Sequence, residues 1–151
     1  MVGPSIAGRR GFLRFSAALL ALRALPGHAQ RVPLVTVYKS PACGCCGEWV
    51  GHMRAAGFRL DVRDVPDVTP IKRQHGVPDR LASCHTALVD GYALEGHVPA
   101  ADVQRLLRER PKVVGLAVPG MVPGSPGMAG TPQPYETVAF DGSRAWLFAR
   151  H

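Results

Sequence analysis

Three cysteines crowd into four residues, Cys43-Gly44-Cys45-Cys46, between an apolar run and a segment of helical period; a fourth, Cys84, stands far downstream beside His85. Cysteines packed this tightly are badly placed to staple distant segments together, so they concentrate sulfur at one point of the fold instead. The run before them, Leu34-Val35-Thr36-Val37-Tyr38, is continuous enough for a strand covered on both faces, and Ser40-Pro41 ends it. After them Trp49, Val50, Met53 and Ala56 recur at helical spacing as far as Gly57, a natural left-handed cap. The sequence therefore predicts a strand, a cysteine-bearing turn and a helix, with Cys46 near the helix N-terminus.

Phe58, Leu60 and Val62 alternate with Arg59, Asp61 and Arg63, which predicts a second strand. A short helix is expected next, with Thr69 as N-cap, Pro70 in its first turn and Gly76 closing it. Thr86 to Val89 and Tyr92 to Glu95 flank Asp90-Gly91, a strong hairpin signal. A third helix from about Ala100 to Arg108 would turn Val103, Leu106 and Leu107 to a core. Val113 to Val118, a Gly/Pro-rich stretch over residues 119–128 and a final hairpin through Asp141-Gly142 complete the chain. The order β-α-β-α-β-β-α resembles the thioredoxin-like arrangement, with the cysteine motif between first strand and first helix and a C-terminal loop and hairpin appended. The class is α/β, though a fold of this kind does not by itself fix the reaction.

The first 29 residues read as a removable address. Arg9-Arg10-Gly11-Phe12-Leu13-Arg14 resembles a twin-arginine motif, a moderately apolar run from Phe15 to Leu25 follows, and Gly27-His28-Ala29 offers a small-residue cleavage pattern. The run is too short, and too interrupted by Arg23, to span a bilayer. Residues 1–29 are therefore expected to be a cleavable signal peptide and residues 30–151 a single periplasmic domain with no membrane anchor. Four of the eighteen basic residues and none of the eleven acidic ones fall in this segment, so the remainder carries a net charge of +3 rather than +7. Arg105, Arg108, Arg110 and Lys112 cluster where cations suit a helix C-terminus, and no basic patch interleaved with aromatics suggests a nucleic-acid partner.

The chemistry expected of the cysteines is metal binding. Crowded around a helix N-terminus, they would be favoured as thiolates by the dipole and the free amide hydrogens. Thiolate is a soft donor suited to Cu(I), and its sulfur can be shared between metals. Were the segment entering the third strand to lie against the same terminus, Cys84 and His85 would join the trio. Zinc is the weaker candidate, because three cysteines in four residues do not resemble the usual paired spacings of structural zinc sites. Disulfides are the alternative an even cysteine count suggests in an oxidising compartment, with Cys43–Cys84 or Cys46–Cys84 as pairs.

Three motifs in order carry a family resemblance. Tyr38-Lys39-Ser40-Pro41-Ala42-Cys43-Gly44-Cys45-Cys46 with Trp49, then Ser83-Cys84-His85-Thr86-Ala87, then Gly115 to Met121 with Gly124-Ser125-Pro126-Gly127-Met128, resemble the CopG-like family, long filed as a domain of unknown function. The resemblance spans nearly the whole chain beyond the signal and implies an exported, thioredoxin-like, copper-binding protein of bacterial metal resistance. Its implied ligands are Cys43, Cys45, Cys46 and Cys84, with His85, Met121 and Met128 as supplementary donors, and its implied partners are metal ions and other periplasmic copper-handling proteins. The last motif departs from the family pattern at Val122, where a proline is expected, and at Ala129, where an acidic residue is.

A second function competes. Cys43 and Cys46 have the Cys-x-x-Cys spacing of thiol–disulfide oxidoreductases, although Cys45 inside the motif would compete for any mixed disulfide. A third possibility combines the two, with the cysteines changing copper between its oxidation states. His52, His75, His97 and His151 lack a cysteine neighbour and are expected at the surface, while Met53, Trp49 and Trp146 are expected to fill core space.

Overall fold

The computed structural model describes Gly3 and residues 32–151, and the signal-peptide reading lies outside the described residues. Among the described residues a seven-stranded sheet in the order β2-β1-β3-β4-β5-β6-β7 carries three α-helices and one 3-10 turn, Asp79–Leu81. The strands are β1 (Leu34–Lys39), β2 (Arg59–Asp64), β3 (His85–Val89), β4 (Tyr92–Glu95), β5 (Gly115–Ala117), β6 (Glu136–Phe140) and β7 (Ala145–Arg150). The helices are α1 (Gly44–Ala55), α2 (Thr69–Gln74) and α3 (Ala100–Glu109). β1 runs parallel to β2 and antiparallel to β3, and β4 runs antiparallel to β3 and parallel to β5. Among the described residues no helix is long and apolar enough to cross a membrane.

Local chemistry explains most boundaries. The Cys43 amide donates to Ser40 O at 3.1 Å, closing a turn through Pro41 that delivers the chain into α1. Cys46, Trp49, Val50 and Met53 form the buried stripe of α1, so the cysteine lies on the core-facing side of the helix. Asp90 and Gly91, at φ 48° and 86°, supply the two left-handed residues of a tight β3–β4 hairpin. The turn fixes the register: Val89 pairs with Tyr92 and Thr86 with Glu95.

Two details differ from expectation. Thr69 is the first residue of α2 rather than its cap; Asp67 accepts from the Thr69 amide at 2.8 Å, an acidic side chain two residues earlier doing the capping work. Trp146 does not fill the core. It stands 43% exposed on β7, at the sheet margin, whereas Trp49 is wholly buried and donates its indole N–H to Val98 O at 2.9 Å. The main core joins Val35, Val37, Trp49, Met53, Leu94, Val103, Leu106 and Leu116, with a smaller cluster around Phe140.

Candidate metal centre

The N-terminus of α1 and the start of β3 bring all four cysteines together. One potential ligand atom from each of Cys43, Cys45, Cys46 and Cys84 lies within 4.8 Å of the others. A second set, Cys46, Cys84, His85 and His97, meets the same limit. The two sets share Cys46 and Cys84. A sulfur-only group thus adjoins a mixed sulfur–nitrogen group through two cysteines, and thiolate sulfur can serve both. The first turn of α1 holds no acidic residue, so its unpaired amides and positive dipole end face the thiols without a competing carboxylate.

Cys43 and Cys46 are joined as a disulfide, with Cα atoms 5.4 Å apart, while Cys45 and Cys84 are free. This pairing is neither of the structural disulfides considered from the sequence, Cys43–Cys84 and Cys46–Cys84, but the pair of the Cys-x-x-Cys spacing. In this state two thiols remain for metal, and reduction of the bond makes four available. Cys45 Sγ lies 3.4 Å from Cys43 Sγ, so the free thiol touches the bonded pair.

Cys84 is the junction. Its Sγ is 3.0 Å from His97 Nε2 and 3.4 Å from His85 Nδ1. His97 Nδ1 donates to Pro126 O at 2.6 Å, which places the ring proton on Nδ1 and leaves Nε2 as the acceptor facing the thiol. Burial, then the nearby Cys45, pushes the Cys84 thiol up to about 11, so in the metal-free state it is protonated and donates to that nitrogen. Burial holds His97 below its ordinary value and His85 well below, with His97, Lys72 and Lys39 adding to the effect on His85. Both imidazoles are therefore neutral, the form that binds metal. His85 is wholly buried against Trp49, ring centroids 4.4 Å apart, and its Nε2 has no hydrogen-bond partner. A buried polar atom left without a partner calls for an explanation, and a metal ion would supply one.

His97 corrects the sequence reading. Expected at the surface, it is 1% exposed and in contact with Cys84. The missed signal was the hairpin: counting outward from Asp90-Gly91 sets Thr86 opposite Glu95, and two more steps set Cys84 opposite His97. His52 is half-buried and accepts from the Ala100 amide at 3.0 Å, and His151 meets Asp102 at 2.9 Å. Neither belongs to the cysteine groups.

The loop after β5 lies on the site. Gly127 sits so close to α1 that a Cβ there would be 2.6 Å from Trp49 N and 2.9 Å from Cys45 O. Ser83 Oγ donates to Gly120 O, and Pro126 O holds His97 as described. Met128 is half-buried on this loop, whereas Met121 is 59% exposed. Glu95, two residues before His97, is fully buried and paired with Lys72; burial raises its carboxyl, and Lys72, Ser83 and Thr86 oppose that rise.

A family model described as a protein of unknown function, DUF411, matches residues 81–128. The chain is similar to a solved structure described as copper resistance protein CopG, form 2, at 40% identity, covering 80% of this chain and 99% of that one with a TM-score of 0.76. It is similar to form 1 of the same protein at 40% identity, covering 80% and 98% with a TM-score of 0.75. No curated protein sequence matches significantly.

Proposed function

The chain belongs to the CopG-like family of copper resistance proteins, and from that premise we propose that it is an exported copper-handling protein whose four cysteines, with His85 and His97, hold cuprous ions as a polynuclear thiolate cluster. The observation that carries this reading is the pair of overlapping donor sets joined through Cys46 and Cys84. Soft sulfur accounts for copper over harder cations, and the sharing of two sulfurs accounts for more than one ion. We read the β2-β1-β3-β4 portion of the sheet, with α1 following the cysteine turn, as thioredoxin-like. Met121 and Met128 are assigned to access: they ride on the loop across the site, where thioether sulfur suits a cuprous ion in transit. The signal in residues 1–29 assigns the protein to the periplasm, and N-terminal sequencing of the exported form is expected to begin at Gln30.

The test is metal analysis of protein purified anaerobically after copper feeding. The expected result is more than one copper per chain with little zinc, lost in Cys45→Ser. Full copper loading of that variant would refute the assignment.

The Cys43–Cys46 disulfide favours a redox component. Two reduced cysteines hold two electrons, so their oxidation to this disulfide would convert two cupric ions to two cuprous ions and release two protons; a thiol reductant must then reopen the bond before all four cysteines can hold copper. The competing reading is a general disulfide reductase in the periplasm, for which the same bond would be the working group. Insulin reduction with dithiothreitol separates them: negligible turnover is expected, and robust turnover would favour the reductase.

A further inference from the structure

The segment carrying Cys84 and His85 rests on a buried charge. The Glu95 carboxylate, fully buried at the end of β4, accepts from the Ser83 amide, from the Thr86 hydroxyl at 2.7 Å and from Lys72 Nζ. Lys72, on α2, also donates to Thr86 Oγ1 at 3.1 Å. These partners bracket the ligand-bearing pair, with Ser83 immediately before Cys84 and Thr86 immediately after His85. Gly96 follows at φ 70°, and a Cβ there would meet Ser83 Oγ at 2.5 Å, so only glycine lets the end of β4 lie this close to that segment. His97 comes next. One carboxylate thereby ties the Ser83 backbone before Cys84 to the Thr86 side chain after His85, and sits two residues from His97.

A buried ion pair seldom improves stability over well-packed apolar side chains, so stability alone does not account for this one. We propose that Glu95, with Lys72 as its counter-charge, is a positioning residue for the metal centre, holding Cys84 and His85 in place before metal arrives. The proposal rests on the reading of these residues as ligands. Ligands fixed in advance lose less freedom on binding, so loosening them weakens retention while leaving the number of donors unchanged.

The test uses the full mature chain, reduced and loaded with Cu(I), in the variants Glu95→Gln and Thr86→Val, with Phe140→Leu in the separate smaller core cluster as a control for lost stability. Release to a Cu(I) chelator is timed, copper is counted, and the visible spectrum of the Co(II)-substituted protein reports ligand geometry. Both variants are expected to keep the wild-type copper count, to lose copper about tenfold faster and to show an altered Co(II) spectrum, with the control like wild type at matched stability. Release at the control's rate with an unchanged spectrum would overturn the proposal. Should Glu95→Gln fail to fold, Thr86→Val decides by the same criteria. Failure of the underlying metal reading would appear separately, as wild-type protein that takes up no copper or Cys84→Ser that retains all of it.

Discussion

Cys84 belongs to both donor sets and touches both buried histidines. Its neighbour His97 is oriented by Pro126 O, which leaves Nε2 free for a proton or a metal. His97→Ala is expected to weaken Cu(I) affinity about tenfold or more, the range seen when groups around a metal are removed. His75→Ala should leave it unchanged, and chelator competition measures both. Equal affinities would remove His97 from the centre. The cysteines were legible in the sequence because thiolate chemistry needs no tertiary information. His97 was harder to read, because its place depends on hairpin register and not on any adjacent residue.

The element that most shapes access is the loop from Pro119 to Met128, seated on the first turns of α1 through Gly127. That glycine has φ 86°, and the atoms a Cβ would strike belong to backbone that cannot swing aside. Gly127→Ala should destabilise the protein by about 1–3 kcal/mol and speed copper loss, read by denaturant midpoint and chelator kinetics. Unchanged kinetics would reduce the loop to packing. The apolar pattern exposed β1, α1 and α3, and the Asp90-Gly91 turn signal exposed the β3–β4 hairpin. The loop's seat was not visible that way, because glycine and proline carry no periodic signal and the close approach to α1 exists only in three dimensions. Trp146 misled for a related reason: an aromatic on a marginal strand has the composition of a core residue without neighbours on every side.

At the scale of the whole molecule, burying the site couples folding, protons and metal. Because burial lowers His85 and His97, the unfolded chain takes up protons first as pH falls through about 6.5, so stability declines below that value. Because Cys84 is raised to about 11, the unfolded chain loses its thiol proton first, and stability declines from about pH 8.5 towards that value. Metal-free protein with the Cys43–Cys46 bond intact should therefore be most stable between these limits in denaturant titrations. His97→Ala should flatten the acid limb and Cys84→Ser the alkaline one; limbs unchanged in both variants would contradict the assignment. In the proposed centre copper would reverse the alkaline loss by replacing the Cys84 proton with metal. The proposed centre is a sulfur-bridged group of cuprous ions, which X-ray absorption at the copper edge of the loaded, reduced protein can distinguish from an isolated ion. The account predicts a sulfur-dominated first shell with a nitrogen contribution and a copper–copper scattering path beyond it, whereas an isolated copper in a nitrogen or oxygen shell would contradict it.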